Sequence, residues 1–151
     1  MKYDALLDEA NAEGISIKER PFKTYDGRIK GKDIYLRKDM NTTEKACVLA
    51  EELGHYYTSV GNIIDMDSSS NRKQERQARL WAYNKQIGLK GLIRAYEHGC
   101  TASHEIAEYL DVTEEALQEC IEFYRDKYGE YKTVEHYIIF FIPHLAVLKK
   151  I

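Results

Sequence analysis

Ala50-Glu51-Glu52-Leu53-Gly54-His55-Tyr56 is the stretch on which the reading of this chain turns. Glu51 and His55 stand four residues apart, so on a helix they share one face, one turn apart, and can grip a single ion. The string is the zinc-helix motif H-E-x-x-H with glutamate in place of the first histidine. Glu52 lies one step round, where that motif keeps the carboxylate that takes a proton from an activated water. Upstream, Asn41-Thr42-Thr43-Glu44 is a helix start, with Asn41 or Thr42 as cap and Glu44 reaching back. The helix is expected from about Thr43 to Ser59, with Ala46, Val48, Leu49, Leu53 and Tyr57 on its buried side and Gly61 as its stop.

A catalytic zinc site uses three protein ligands and a water. Glu51 and His55 supply two, and Glu75 is the best candidate for the third. It stands in a second long helix, expected from Arg72 to Ile87 after a polar Ser68-Ser69-Ser70-Asn71 loop, with Ala78, Trp81, Ala82 and Tyr83 as the packed stripe. If Ala78 and Ala82 bring this helix close to the first, Glu75 lies one turn earlier on the same face and projects towards Glu51 and His55. Two glutamates and one histidine make a harder, more negative donor set than a histidine-rich one. That raises the pKa of a bound water and tilts preference from zinc towards manganese or magnesium. The adjacent carboxylates Glu51 and Glu52 also repel, which pushes one towards protonation until a cation relieves it.

Outward from these helices, Tyr3 to Ala12 reads as a short amphipathic helix closed by Gly14. Ile15 to Glu19 alternates as a strand that Pro21 stops. Tyr25-Asp26-Gly27-Arg28 carries a turn signal, and Ile29-Lys30-Gly31 and Ile34-Tyr35-Leu36-Arg37 read as two short antiparallel strands. Beyond the second helix, Gly88 and Gly91 are breaks, and a short helix covers Leu92 to His98. Ser103 to Leu110 and Thr113 to Tyr128 form a helix-turn-helix-like pair. Tyr137 to Ile142 reads as a strand, although so short an apolar run also suits a buried helix.

Composition bounds the answer. The 151 residues suit one domain with its own core, are 44% hydrophobic and 31% charged, and carry a net charge of −3. This balance gives no electrostatic case for nucleic acid. No apolar run reaches membrane-spanning length, and the N-terminus lacks a signal-peptide hydrophobic segment. Cys47, Cys100 and Cys120 are odd in number and widely spaced, which points to a reducing cytosol and against a disulfide framework.

The chain resembles the ImmA/IrrE family of metallopeptidases, whose pattern is H-E-x-G-H followed by a glutamate, an alanine three residues on, and an aromatic-alanine pair. Leu49 to Tyr57 and Glu75-x-x-Ala78-x-x-Trp81-Ala82 match it, and Ile106 to Val112 looks like the family's small helical segment. The resemblance implies an α+β, zincin-like (gluzincin-like) fold with a small twisted antiparallel sheet, two long site-bearing helices and a C-terminal helical and strand section. Residues 1–90 would be the catalytic core of a single domain, and 91–151 the helix-turn-helix-like and terminal strand section. It further implies a cytoplasmic zinc endopeptidase with ligands at His55 and Glu75 and the general base at Glu52. Ile34 to Arg37 would be the strand beside which substrate backbone lies. Members from phages and mobile elements resemble antirepressors, so the implied partner is a helix-turn-helix repressor protein. The departure is Glu51, which leaves open whether zinc, manganese, another divalent ion or no ion is held.

Several competing readings remain. Glu75 can simply pair with Arg79 four residues on, as surface charges do on helices. His104-Glu105-Ile106-Ala107-Glu108 mimics H-E-x-x-E but falls where a polar helix start is expected. The helix from Thr113 carries Glu114, Glu115, Glu119 and Glu122, which phosphate would repel, so the pair is read as packing or protein contact and not as a DNA reader. Against the peptidase stands a non-catalytic binding module with the same fold and a degenerate metal site.

Overall fold

A computed structural model describes residues 2–59 and 68–151. In chain order the elements are α1 (Lys2–Ala12), β1 (Ser16–Arg20), β2 (Gly27–Lys30), β3 (Asp33–Arg37), α2 (Thr42–Thr58), α3 (Ser68–Gln86), α4 (Gly88–His98), α5 (Ser103–Leu110), α6 (Glu114–Tyr128), β4 (Tyr131–Val134), β5 (Tyr137–Phe140) and β6 (Ala146–Lys149). The class is mixed α+β, as expected. The chain divides into two compact units, Met1–Lys85 and Gln86–Ile151.

In the first unit, α1 buries Tyr3, Leu6 and Ala10, and the chain leaves it through Gly14 at φ 76°, a left-handed conformation that glycine adopts without a Cβ penalty. The sheet order is β1-β3-β2. The expectation of an antiparallel sheet needs correcting: β2 and β3 are antiparallel, but β1 runs parallel to β3. The turn chemistry explains this. Gly31, at φ 62°, closes a tight link between β2 and β3. The Asp26-Gly27 pair closes no hairpin, because Gly27 is already the first residue of β2. The chain from Pro21 to Asp26 is long enough to carry β2 past the place that β3 later fills. Ile34 and Leu36 then face inward and are fully buried, in one cluster with Leu6, Ala10, Ala46, Leu49, Leu53 and Ala82. Burial of this kind stabilises by roughly 1.5–3 kcal/mol per large aliphatic side chain before entropy is counted.

Helix α2 begins where the capping residues placed it. Asn41 accepts from the Glu44 backbone N–H at 2.8 Å, and the Glu44 carboxylate accepts from the Asn41 N–H at 3.1 Å. Its buried side is Ala46, Leu49, Ala50, Leu53 and Gly54; Tyr57, expected inside, is 43% exposed and stacks on Trp81. The expected stop at Gly61 lies outside the described residues. The Ser68–Asn71 segment, expected as a loop, is the first turn of α3.

In the second unit, Gly88, at φ 67°, separates α3 from α4, as expected of a break. Gly91 does not break anything: it is a buried residue inside α4. The α5–α6 pair has Thr113 as the cap of α6, accepting from the Ala116 N–H at 3.1 Å. β4, β5 and β6 form an antiparallel meander, so the Tyr137–Ile142 run resolves as a strand over Tyr137–Phe140. Leu92, Leu117, Cys120, Tyr124, Ile139 and Phe141 are its innermost side chains.

Candidate metal centre

The site is assembled by one close helix approach. A Cβ on Gly54 would overlap the Ala78 carbonyl oxygen and lie 2.9 Å from its carbon, so only glycine lets α2 come this near to α3. Ala78, with no exposed surface, is the small residue opposite. Trp81 packs on Tyr57 with ring centroids 5.1 Å apart and holds the next turn in register. Glu51 and His55 lie on the α2 side of this crossing, and Glu75 is one turn before Ala78 on α3.

The three expected ligands converge. Glu51, His55 and Glu75 each offer one donor atom, and these atoms lie within 4.8 Å of one another. His55 Nε2 is 2.9 Å from Glu75 Oε2. Donors around a tetrahedral ion stand about 3.4 Å apart at ordinary zinc distances. The group therefore needs only side-chain adjustment to close on a cation. Two glutamate oxygens and an imidazole nitrogen, half-buried and with excess negative charge, suit a divalent ion. Among the described residues no second group of this kind gathers.

Arg79 is the neighbour that sequence reasoning placed incompletely. Its Nε is 3.1 Å from Glu75 Oε1, the expected pairing along α3, and also 3.3 Å from Glu51 Oε1 across the helix gap. The competing readings of Glu75 thus coexist, since it touches both His55 and Arg79. Nothing in the spacing pointed to the second contact, because Arg79 stands 28 residues from Glu51 and reaches it only where α2 and α3 come together.

Electrostatics follow from this crowding. Burial raises the Glu51 carboxyl to about 8, helped by its hydrogen bond to Glu75 and the charges of Glu75 and Glu52, with Arg79 opposing. Glu75 is held below the usual carboxylate range, first by that same hydrogen bond and then by His55 and Arg79. In the metal-free chain Glu51 therefore keeps a proton and donates it to Glu75. Burial, then the Glu75 charge, raises Glu52 to about 7. A carboxyl poised near neutrality suits proton transfer in both directions.

Glu52 faces the sheet margin. A Cβ on Gly27 would lie 3.3 Å from Glu52 Cγ and 3.4 Å from its Oε1, so β2 passes directly over this carboxylate. The expectation that Ile34–Arg37 borders an extended substrate is corrected here. β3 is the middle strand, paired on both sides, and cannot accept another. The outer strand beside Glu52 is β2.

The remaining candidates do not gather. His104 and Glu108 are exposed on α5. Glu105 is committed to the helix start, accepting from Ala102 N–H at 2.9 Å and from Thr101 N–H and O–H. His98 stacks on Tyr109 at 4.4 Å. Cys47, Cys100 and Cys120 form no disulfide. No described helix is long and apolar enough to cross a membrane.

Comparison with known proteins adds one match. The profile described as the IrrE N-terminal-like domain, peptidase family M78, matches residues 10–122. No curated protein matches the chain. With three quarters of its length on that profile and a Glu-His-Glu group on the two helices that bear the motif, the chain belongs to the IrrE N-terminal-like family of metallopeptidases.

Proposed function

We propose that this protein is a metal-dependent endopeptidase of the cytoplasm, with Glu51, His55 and Glu75 as metal ligands and Glu52 as general base. The observation that carries the reading is the meeting of Glu75, from α3, with Glu51 and His55, from α2, beside the partly buried carboxyl of Glu52 under the outer strand β2. A divalent ion, zinc or manganese, held by Glu51, His55 and Glu75 would supply Lewis acidity there. Glu52 does the proton work: it accepts the proton of the attacking water and returns it to the leaving amine. The substrate is a protein, and the class favoured by the family resemblance is a helix-turn-helix repressor, as for antirepressors of phages and mobile elements.

The test is cleavage of a fluorescence-quenched peptide library by the chain supplied with Zn²⁺ or Mn²⁺. Glu52→Gln is expected to lower turnover by about 100-fold or more while leaving bound metal unchanged by native mass spectrometry. Cleavage at the native rate in that variant refutes the assignment of the base.

One observation favours a second reading, a protein-binding module without catalysis. Arg79 already places a cation against Glu51 and Glu75. A chain that takes up no metal at saturating Zn²⁺ and Mn²⁺ yet binds its partner fits that reading.

A further inference from the structure

The face of the β1-β3-β2 sheet turned away from the core is unusually cationic for a chain of net charge −3. Strand register sets which side chains share it. Lys18 and Arg28 both pair with Tyr35, Arg20 pairs with Arg37, and Lys30 pairs with Asp33, so five cations and one strand carboxylate, Asp33, project opposite to the buried Ile34 and Leu36. Arg37 is neutralised by Asp26 at 3.4 Å and Asp39 at 3.0 Å. Among the described residues Lys18, Arg20, Arg28 and Lys30 form no ion pair, and all four are exposed.

The cations border a hollow of about 580 Å³ lined, among the described residues, by Arg20, Pro21, Phe22, Tyr25, Arg28, Lys30 and Tyr35, none of them a carboxylate. Its rim is fixed. Phe22 and Tyr25 pack with centroids 4.7 Å apart, and Arg28 donates to the Tyr25 hydroxyl at 3.2 Å while lying 5.7 Å from its ring centre.

The hollow adjoins the outer margin of β2, which no described strand pairs, and β2 is the strand that crosses Glu52. A segment added to that margin points alternate side chains to opposite faces. Those on the side of Gly27 and Ile29 face the helices. Those on the side of Arg28 and Lys30 face the cations. We infer that this sheet face reads acidic side chains at alternate positions of an extended protein segment laid along β2, so that the substrates are acidic around the bond presented to Glu52. The inference rests on the proposed peptidase reading for its link to cleavage, whereas the binding itself needs neither metal nor catalysis.

The experiment is fluorescence anisotropy of the whole chain, in chelator, with two labelled peptides. One alternates Glu with Thr; the other has Gln in place of every Glu. The Glu peptide is expected to bind about tenfold or more tightly than the Gln peptide, with a preference that shrinks as salt rises from about 50 to about 300 mM. Arg28→Gln/Lys30→Gln should abolish the preference, and Arg28→Glu/Lys30→Glu should transfer it to a Lys-Thr peptide. Lys149→Glu, in the other compact unit, should leave it intact. Equal binding of the Glu and Gln peptides overturns the inference, as does a preference that survives Arg28→Gln/Lys30→Gln. Tighter binding of an oligothymidylate than of the Glu peptide reassigns the face to nucleic acid and overturns it too. If the preference holds but Zn²⁺ and Mn²⁺ bring no cleavage, the catalytic reading fails and the acidic-segment surface stands.

Discussion

At the level of single residues, the decisive pair is Glu51 and Arg79. Glutamate at position 51 turns a neutral donor into an acid, and the guanidinium of Arg79 lies against it and against Glu75. A bound divalent ion and this guanidinium compete for the same two carboxylates. Arg79→Gln is therefore expected to raise Zn²⁺ affinity by about tenfold or more, measured by competition with a chromogenic chelator. Unchanged or weaker affinity would show that Arg79 orients the ligands instead of opposing the ion. Proton linkage gives a second prediction. The metal-free site keeps a proton on Glu51, raised to about 8 mainly by burial. Metal requires that carboxyl ionised, so binding must expel the proton. Affinity should then rise by about tenfold per pH unit from pH 6 to about 8 and flatten above it. Calorimetry at pH 7 in buffers of different ionisation enthalpy should find about one proton released; no release would mean that Glu51 is not a ligand. That Glu51 and His55 share one side of α2 was legible from spacing alone, because i to i+4 on a helix fixes a shared face, whereas the nearness of Glu75 rested on an expected packing of α3 against α2. The reach of Arg79 to Glu51 was not legible, since it depends on how near the two helices lie.

That nearness belongs to the scale of elements. Gly54 against Ala78 sets the approach of α2 to α3, and with it the meeting of Glu75 and His55. Gly54→Ala should cost about 1–3 kcal/mol in stability by chemical denaturation, through overpacking of a site with backbone on the far side. It should also weaken metal binding, because α3 must retreat. Gly91→Ala is the control. Its Cβ would find ordinary contact at 3.5 Å from Leu110, and inside α4 alanine is the better helix former. Equal effects of the two substitutions would remove the helix approach from the account. Elements with side-chain signals at their ends were readable in the sequence. The Asn41–Glu44 capping box located α2 to within a residue. The first turn of α3 was hidden, because a run of serines and an asparagine favours loops by local hydrogen bonding and only the surrounding structure selects the helix. The parallel pairing of β1 with β3 was hidden for a related reason: alternation shows which residues face inward and leaves the choice of neighbour open.

Across the whole molecule, the site lies within the unit of residues 1–85, and the α4–α6 helices with the β4–β5–β6 meander form the other. No composition shift marks the division, which falls before the last residue of α3, so the sequence carried no linker to find. A ligand that binds only the folded site stabilises it by about 2.7 kcal/mol at a hundred times its Kd. Saturating metal should thus raise the melting temperature of the chain by several degrees, and His55→Ala should abolish the rise. Hydrogen exchange should show the added protection in α2 and α3, with α5 and α6 unchanged. Protection confined to α5 and α6 would place the ion elsewhere.

The most direct measurement is a crystal structure of the chain grown with Zn²⁺ or Mn²⁺ and located by anomalous scattering. One ion is expected, at about 2.0–2.2 Å from a carboxylate oxygen of Glu51, Nε2 of His55 and a carboxylate oxygen of Glu75, with Arg79 withdrawn from Glu51. An ion bound elsewhere on the chain, or no ion with Arg79 still bridging Glu51 and Glu75, would contradict the account.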